Sequence, residues 1–154
     1  MITLTIKPTY RKYDIEAVLI QAANHCMEYE KKPGEIGILI TGDKDIHTFN
    51  QEYRGVDSPT DVLSFENGEI NPETGNIYWG DIIISCQTAL RQSKDEGHSL
   101  TDEISLLVVH GMLHLFGYDH QDIKSRKTMW THQAAILAAM GISMDGFPNL
   151  EKLA

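Results

Sequence analysis

The sequence predicts an α+β fold: one domain, with a small mixed β-sheet of about four strands packed against about five helices, one of them a buried central helix that carries the metal-binding residues. Three observations predict it. Short apolar stretches of strand length alternate with longer helical stripes, in the order β-α-β-α-β-β-α-α-α. A chain of 154 residues suits a single domain, 1–154, large enough to bury its own core without disulfides. The segment from Ile104 to Phe116 is apolar nearly all round, which places a helix inside rather than on the surface.

Residues 2–7 alternate Ile2, Leu4 and Ile6 and read as the first strand. Asp14 is the expected cap of a helix running to about Lys31, with Ile15, Val18, Leu19, Ala22, Cys26 and Met27 on one stripe. Pro33-Gly34 ends it, and residues 35–41 form a second strand. Asp43 is the expected cap of a shorter helix through Ile46, Phe49 and Tyr53, which stops near Gly55. Val62 to Phe65 is a third strand, 67–76 a loop with two turns, and Trp79 to Ser85 a fourth strand. Helices follow at about 86–96, 102–116 and 122–140. Thr101-Asp102-Glu103 supplies the cap and acidic first turn of the central one, and Gly141 stops the last. The tail after 141 is expected to be loosely ordered.

Hydrophobic residues make up 42% and charged residues 23%, an ordinary globular composition. MITLTIKPTY has neither a basic nor an apolar leader region, and no apolar run approaches the roughly 20 residues of a membrane span, so the expected compartment is the cytoplasm. Cys26 and Cys86 form no CxxC pair and read as reduced, buried thiols, although a helix N-terminus near Cys86 would lower its pKa. A formal net charge of −9 argues mildly against a nucleic-acid partner, because proteins that grip phosphates carry a basic footprint. A local basic patch can still exist on an acidic chain; Arg54, Lys124, Arg126 and Lys127 are its candidates.

The chemistry lies in His110-Gly-Met-Leu-His114-Leu-Phe-Gly117-Tyr-Asp-His120. A helix stacks residues four apart on one face, with Cβ atoms about 6 Å apart. Gly117 can take a left-handed conformation, end the helix and let the chain return His120 as a third ligand. Three imidazoles and a water make the open tetrahedral site of a catalytic zinc, with one zinc per chain and the zinc-bound water as nucleophile. Surface histidines at HxxxH spacing are common without a metal. Buried imidazoles without partners, however, cost roughly 1–3 kcal/mol each. The spacing also matches the zincin-like pattern HExxHxxGxxH at every position but one. Gly111 replaces the glutamate that serves zinc peptidases as general base, which argues against a peptidase.

That segment resembles the bacterial YbeY family, and so do Asn50-Gln-Glu-Tyr-Arg54-Gly-Val-Asp-Ser-Pro-Thr-Asp61-Val-Leu-Ser-Phe65 and Gly80-Asp81-Ile82. Glu66 departs from the pattern, since many members carry proline there. The resemblance implies an endoribonuclease on single-stranded RNA, linked to maturation of the 16S ribosomal RNA 3′ end and to ribosome quality control. Its zinc histidines fall on His110, His114 and His120, and its functional arginine on Arg54. The implied partners are ribosomal RNA and the ribosome or its small subunit, with no membrane.

Physical roles follow from residue type. Arg54 is a planar, permanently charged fork suited to a phosphate. Asp81 and Asp119 are candidates to hold the outer nitrogen of a ligand imidazole, or else are turn residues. Lys124, Arg126 and Lys127 are candidate RNA contacts, or a solvated helix face. His25, His47, His98 and His132 lie outside the ligand spacing and read as surface or helix-face residues, and Met129, Met140 and Met144 as packing. Two other readings remain open at this level: a zinc hydrolase of a peptide or small phosphoester, and a ribosome-assembly factor with a structural metal.

Overall fold

The computed structural model describes residues 1–144. Its strands are β1 (Ile2–Ile6), β2 (Glu35–Thr41), β3 (Val62–Ile70) and β4 (Ile77–Ser85). Its helices are α1 (Glu16–Glu30), α2 (Asp43–Arg54), α3 (Cys86–Glu96), α4 (Leu100–Leu115) and α5 (Ile123–Ala139). The sheet order is β1-β2-β4-β3. β1 and β4 run parallel to β2, while β3 returns antiparallel along β4 and forms an edge. The β1-α1-β2 passage makes the parallel pair, and the hairpin after α2 sets β4 parallel to β2 with β3 antiparallel outside it.

The hairpin is longer than its apolar residues suggest. β3 continues through residues 66–70, which are exposed, so pairing with β4 rather than burial keeps them extended. Only 71–76 form the turn. There the Asn71 side-chain amide donates to the Glu35 carboxylate at 3.0 Å and ties the turn to β2. Glu66 accordingly stands within β3.

Three expected caps are corrected. Asp14 caps no helix: a 3-10 turn over Pro8–Tyr13 precedes α1, and Asp14 closes it with φ 51°. Gly42 is the residue before α2, and Asp43 is its first helical residue. The Asp43 carboxylate instead accepts from Ser85 Oγ and Thr88 Oγ1, both at 2.6 Å, and from Arg91 at 2.9 Å, so it joins α2 to α3. Ser99, not Thr101, caps α4 by accepting from the Asp102 amide at 3.1 Å.

α4 is the axis of the molecule. It touches α1, α3, α5, β3 and β4, and every residue from Glu103 to Leu113 is buried. Leu107, Met112 and Leu113 are fully buried, each contributing about 1.5–3 kcal/mol of transfer free energy. The helix that carries the candidate ligands is thereby rigidly seated. After α5 the chain stays on the core: Ile142 donates its amide to Leu137 at 2.9 Å, and Ile142 and Met144 pack against the main cluster. Residues 145–154, most of the tail expected to be loosely ordered, lie outside those described.

Candidate metal centre

His110 and His114 lie one turn apart on α4, with Nε2 atoms 3.1 Å from each other. The helix ends at Leu115, Gly117 takes φ 100°, and the Tyr118 amide donates back to Leu113 at 2.9 Å. This reversal returns His120, whose ring centroid is 5.2 Å from each of the other two. The Tyr118 hydroxyl holds the reversal in place by donating to Glu30 of α1 at 3.2 Å. Ligand atoms of the three histidines fall within 4.8 Å of one another; His110 is buried, and His114 and His120 are half-buried.

The donor set fits a metal. His114 Nδ1 lies 3.0 Å from the Tyr118 carbonyl oxygen, which can only accept, so the ring proton belongs on Nδ1 and Nε2 is bare when the ring is neutral. His110 Nδ1 lies 3.0 Å from Gln133 Oε1, which assigns the same tautomer. With both ring protons on Nδ1, two lone pairs 3.1 Å apart face each other, an arrangement that a shared cation or proton relieves. Two ligands on one tetrahedral zinc, each about 2.0–2.1 Å from it, stand about 3.3 Å apart. Imidazole donors suit zinc, copper, iron or nickel rather than magnesium or calcium.

Gly111 points away from this centre. A Cβ there would meet Ser64 Oγ at 3.1 Å and Ile82 at 3.2 Å, so the helix lies against β3 and β4 at this position. Ser64 Oγ donates to the Gly111 carbonyl at 3.0 Å and reinforces the contact. A side chain at this position would press on Ser64 and Ile82.

Arg54, nearly 60 residues before the histidines, lines the same cavity of about 290 Å³ as His114, His120, Ser64, Glu66 and Asp119. Its Nη2 donates to the Ser64 carbonyl at 2.9 Å, and its guanidinium carbon sits 6.0 Å from the Phe65 ring centroid. Asp119 is at the rim, where its carboxylate accepts from the Gln121 amide at 3.1 Å, the turn role.

Asp81 is corrected. Alternation along β4 sends Ile82 to the α4 face and Asp81 to the other. There it accepts from the Tyr78 hydroxyl and lines a separate cavity of about 440 Å³, so it holds no ligand imidazole. None of Lys124, Arg126 and Lys127 lines the metal cavity; they lie on the first two turns of α5, with Lys124 and Lys127 exposed. Cys86 opens α3 as expected, but burial pushes its thiol up to about 11, so it is no nucleophile. His98 is not a surface residue. It is half-buried against Glu103, with Nε2 2.6 Å from Oε2. His132 is half-buried and pairs with Glu30 at 2.9 Å.

Two neighbours escaped sequence reasoning. Trp130 lies 5.7 Å from the His110 ring and 5.4 Å from the His120 ring, and walls the centre from the α5 side. Gln133 supplies the His110 partner. Its one signal was a polar residue on the buried stripe Met129, Gln133, Ile136 and Leu137.

Fold and site together define an α+β protein whose buried helix and the turn after it converge three histidines on one metal-binding point. The family model described as Endoribonuclease YbeY matches residues 4–141. Curated relatives named Endoribonuclease YbeY include one from Roseiflexus sp. strain RS-1, 40% identical over 94% of this chain and 95% of its own. Another, from Agathobacter rectalis, is 39% identical over 85% of this chain and 91% of its own. The chain belongs to the YbeY family. In fold it is similar to the solution structure of TM1509 from Thermotoga maritima, with a TM-score of 0.58 at 23% identity, covering 97% of this chain and 99% of that one.

Proposed function

We propose that this chain is a zinc-dependent endoribonuclease that cleaves single-stranded ribosomal RNA in the cytoplasm, with maturation of the 16S 3′ end and ribosome quality control as its setting. The observation that carries the reading is that Arg54 shares one cavity with His114 and His120. A cationic fork beside a three-histidine centre suits a phosphodiester. The names of the relatives support an RNA substrate. Among the described residues, no helix is long and apolar enough to cross a membrane.

A bound zinc supplies Lewis-acid chemistry, lowering the pKa of water to about 7 and polarising a phosphoryl oxygen. The protein residues do the rest. His110, His114 and His120 would hold the ion. One Arg54 donor is anchored on Ser64, which orients the guanidinium; its other donors bind a non-bridging phosphate oxygen and stabilise charge as it builds. Lys124, Arg126 and Lys127 contact the RNA strand beyond the cavity. Peptide cleavage is disfavoured because position 111 faces the sheet and cannot present a base.

Arg54→Ala is expected to lower RNA cleavage by about 10²–10³ while fold and zinc content stay intact. Arg54→Lys should recover little, since a point charge lacks the two-point contact. RNA cleavage unchanged in Arg54→Ala would overturn the phosphate role, and robust chelator-sensitive cleavage of casein would overturn the substrate class.

A further inference from the structure

Gln133 is fully buried on α5, 23 residues from His110 in sequence. Its Oε1 meets His110 Nδ1 at 3.0 Å, while its Nε2 is buried and has no partner. A buried amide donor without an acceptor is destabilising, and a leucine would fill much the same space without that cost. The fold carries this penalty at a position that touches the most buried ligand.

We propose that Gln133 is the positioning residue of the metal centre: by accepting from His110 Nδ1–H it holds the tautomer that turns a bare Nε2 toward His114 and His120. The two α4 ligands differ in how their tautomers are set. For His114 the acceptor is the backbone carbonyl of Tyr118, which no side-chain change removes. For His110 it is a carboxamide, which has two faces. Reversed, the amide donates to Nδ1 and places the ring proton on Nε2, inside the cluster. There it satisfies His114 Nε2 at 3.1 Å and occupies the point where a cation sits. One orientation of Gln133 thus binds metal, and the other caps the metal-free cluster. The unpartnered Nε2 accompanies the first.

This inference rests on the metal reading above and not on the RNA reading. The test uses the full chain with zinc ions as the probe. Zinc dissociation constants are measured by competition against a chelator for wild type, Gln133→Leu and Gln133→Glu, and the His110 ring tautomer is read by nitrogen-detected NMR. Gln133→Leu is expected to weaken zinc by about 10–100-fold. Gln133→Glu, which accepts and cannot donate, should bind zinc at least as tightly as wild type and keep His110 in the Nδ1–H form without metal. Wild-type zinc affinity in Gln133→Leu, or equal weakening in both variants, would overturn the positioning role and leave the metal centre standing. Should Gln133→Leu fail to fold, weakened zinc binding in Gln133→Glu alone would overturn the role. Absence of zinc binding in wild type would overturn the centre itself, and this role with it.

Discussion

Two histidine clusters flank the same helix, and each gathers three residues whose ligand atoms lie within 4.8 Å of one another. At the C-terminal end of α4 are His110, His114 and His120. At its N-terminal end are Glu96, His98 and Glu103. In the first, the outer nitrogens of His110 and His114 meet a neutral amide and a backbone carbonyl, and their inner nitrogens point at each other. In the second, His98 Nε2 points at a carboxylate 2.6 Å away, closer than two ligands on one metal stand. Burial pushes the Glu103 carboxyl above the ordinary range, although His98 and Gln92 pull it down. With Gln133 accepting from His110, the first cluster turns two lone pairs toward a cation, while the second is already resolved as a pair. What a histidine does here depends on what its other neighbours can donate or accept, more than on which residues are nearby.

The largest expected effect separates the clusters outright. His114→Ala removes a half-buried ligand and should cost more zinc affinity than the roughly 10–100-fold loss typical of an outer partner. Unfolding of the metal-free protein should barely change. Full zinc retention in that variant, read by metal analysis after dialysis, would break the comparison. Glu103→Ala should do the reverse. Stranding His98 and Gln92 in the interior costs about 3 kcal/mol, or roughly 6–12 °C of melting temperature for a chain of this size. Zinc affinity should hold; a matching loss of zinc would mean that the second cluster also serves the metal.

The smallest effect is a pH dependence. The folded state holds the Glu103 proton more tightly than the unfolded chain, so ionisation of this group opposes folding at neutral pH. That opposition is relieved as the pH falls through the raised folded value toward the ordinary 4.5. Glu103→Gln lacks the relief. Denaturant titrations between neutral pH and about pH 4.5 should therefore show the variant losing stability on acidification more steeply than wild type. Parallel curves would remove the assigned protonation difference.

Much of this fold is legible from periodicity. The β2 limits, the burial of α4 and the stops at Gly55 and Gly141 follow from residue type and spacing, because each is settled within about a turn of chain. Cap positions were less legible. Asp14 and Asp43 are good cap residues, but a 3-10 turn claimed one and the Ser85, Thr88 and Arg91 side chains claimed the other. The end of β3 escaped because its outer residues are exposed and held by hydrogen bonds to β4, which leave no apolar pattern.

For the candidate metal site, the sequence by itself determined which three histidines come together, because HxxxH on a helix followed by a left-handed glycine is local geometry. It also determined that no glutamate stands at position 111. Only the tertiary structure decided which face of β4 Asp81 occupies, that Arg54 reaches the same cavity as His114, and that Gln133 of α5 meets His110. The physical reason is range. Helix spacing and turn conformation are set by neighbouring residues, whereas a hydrogen bond between helices 23 residues apart depends on packing that no local pattern encodes.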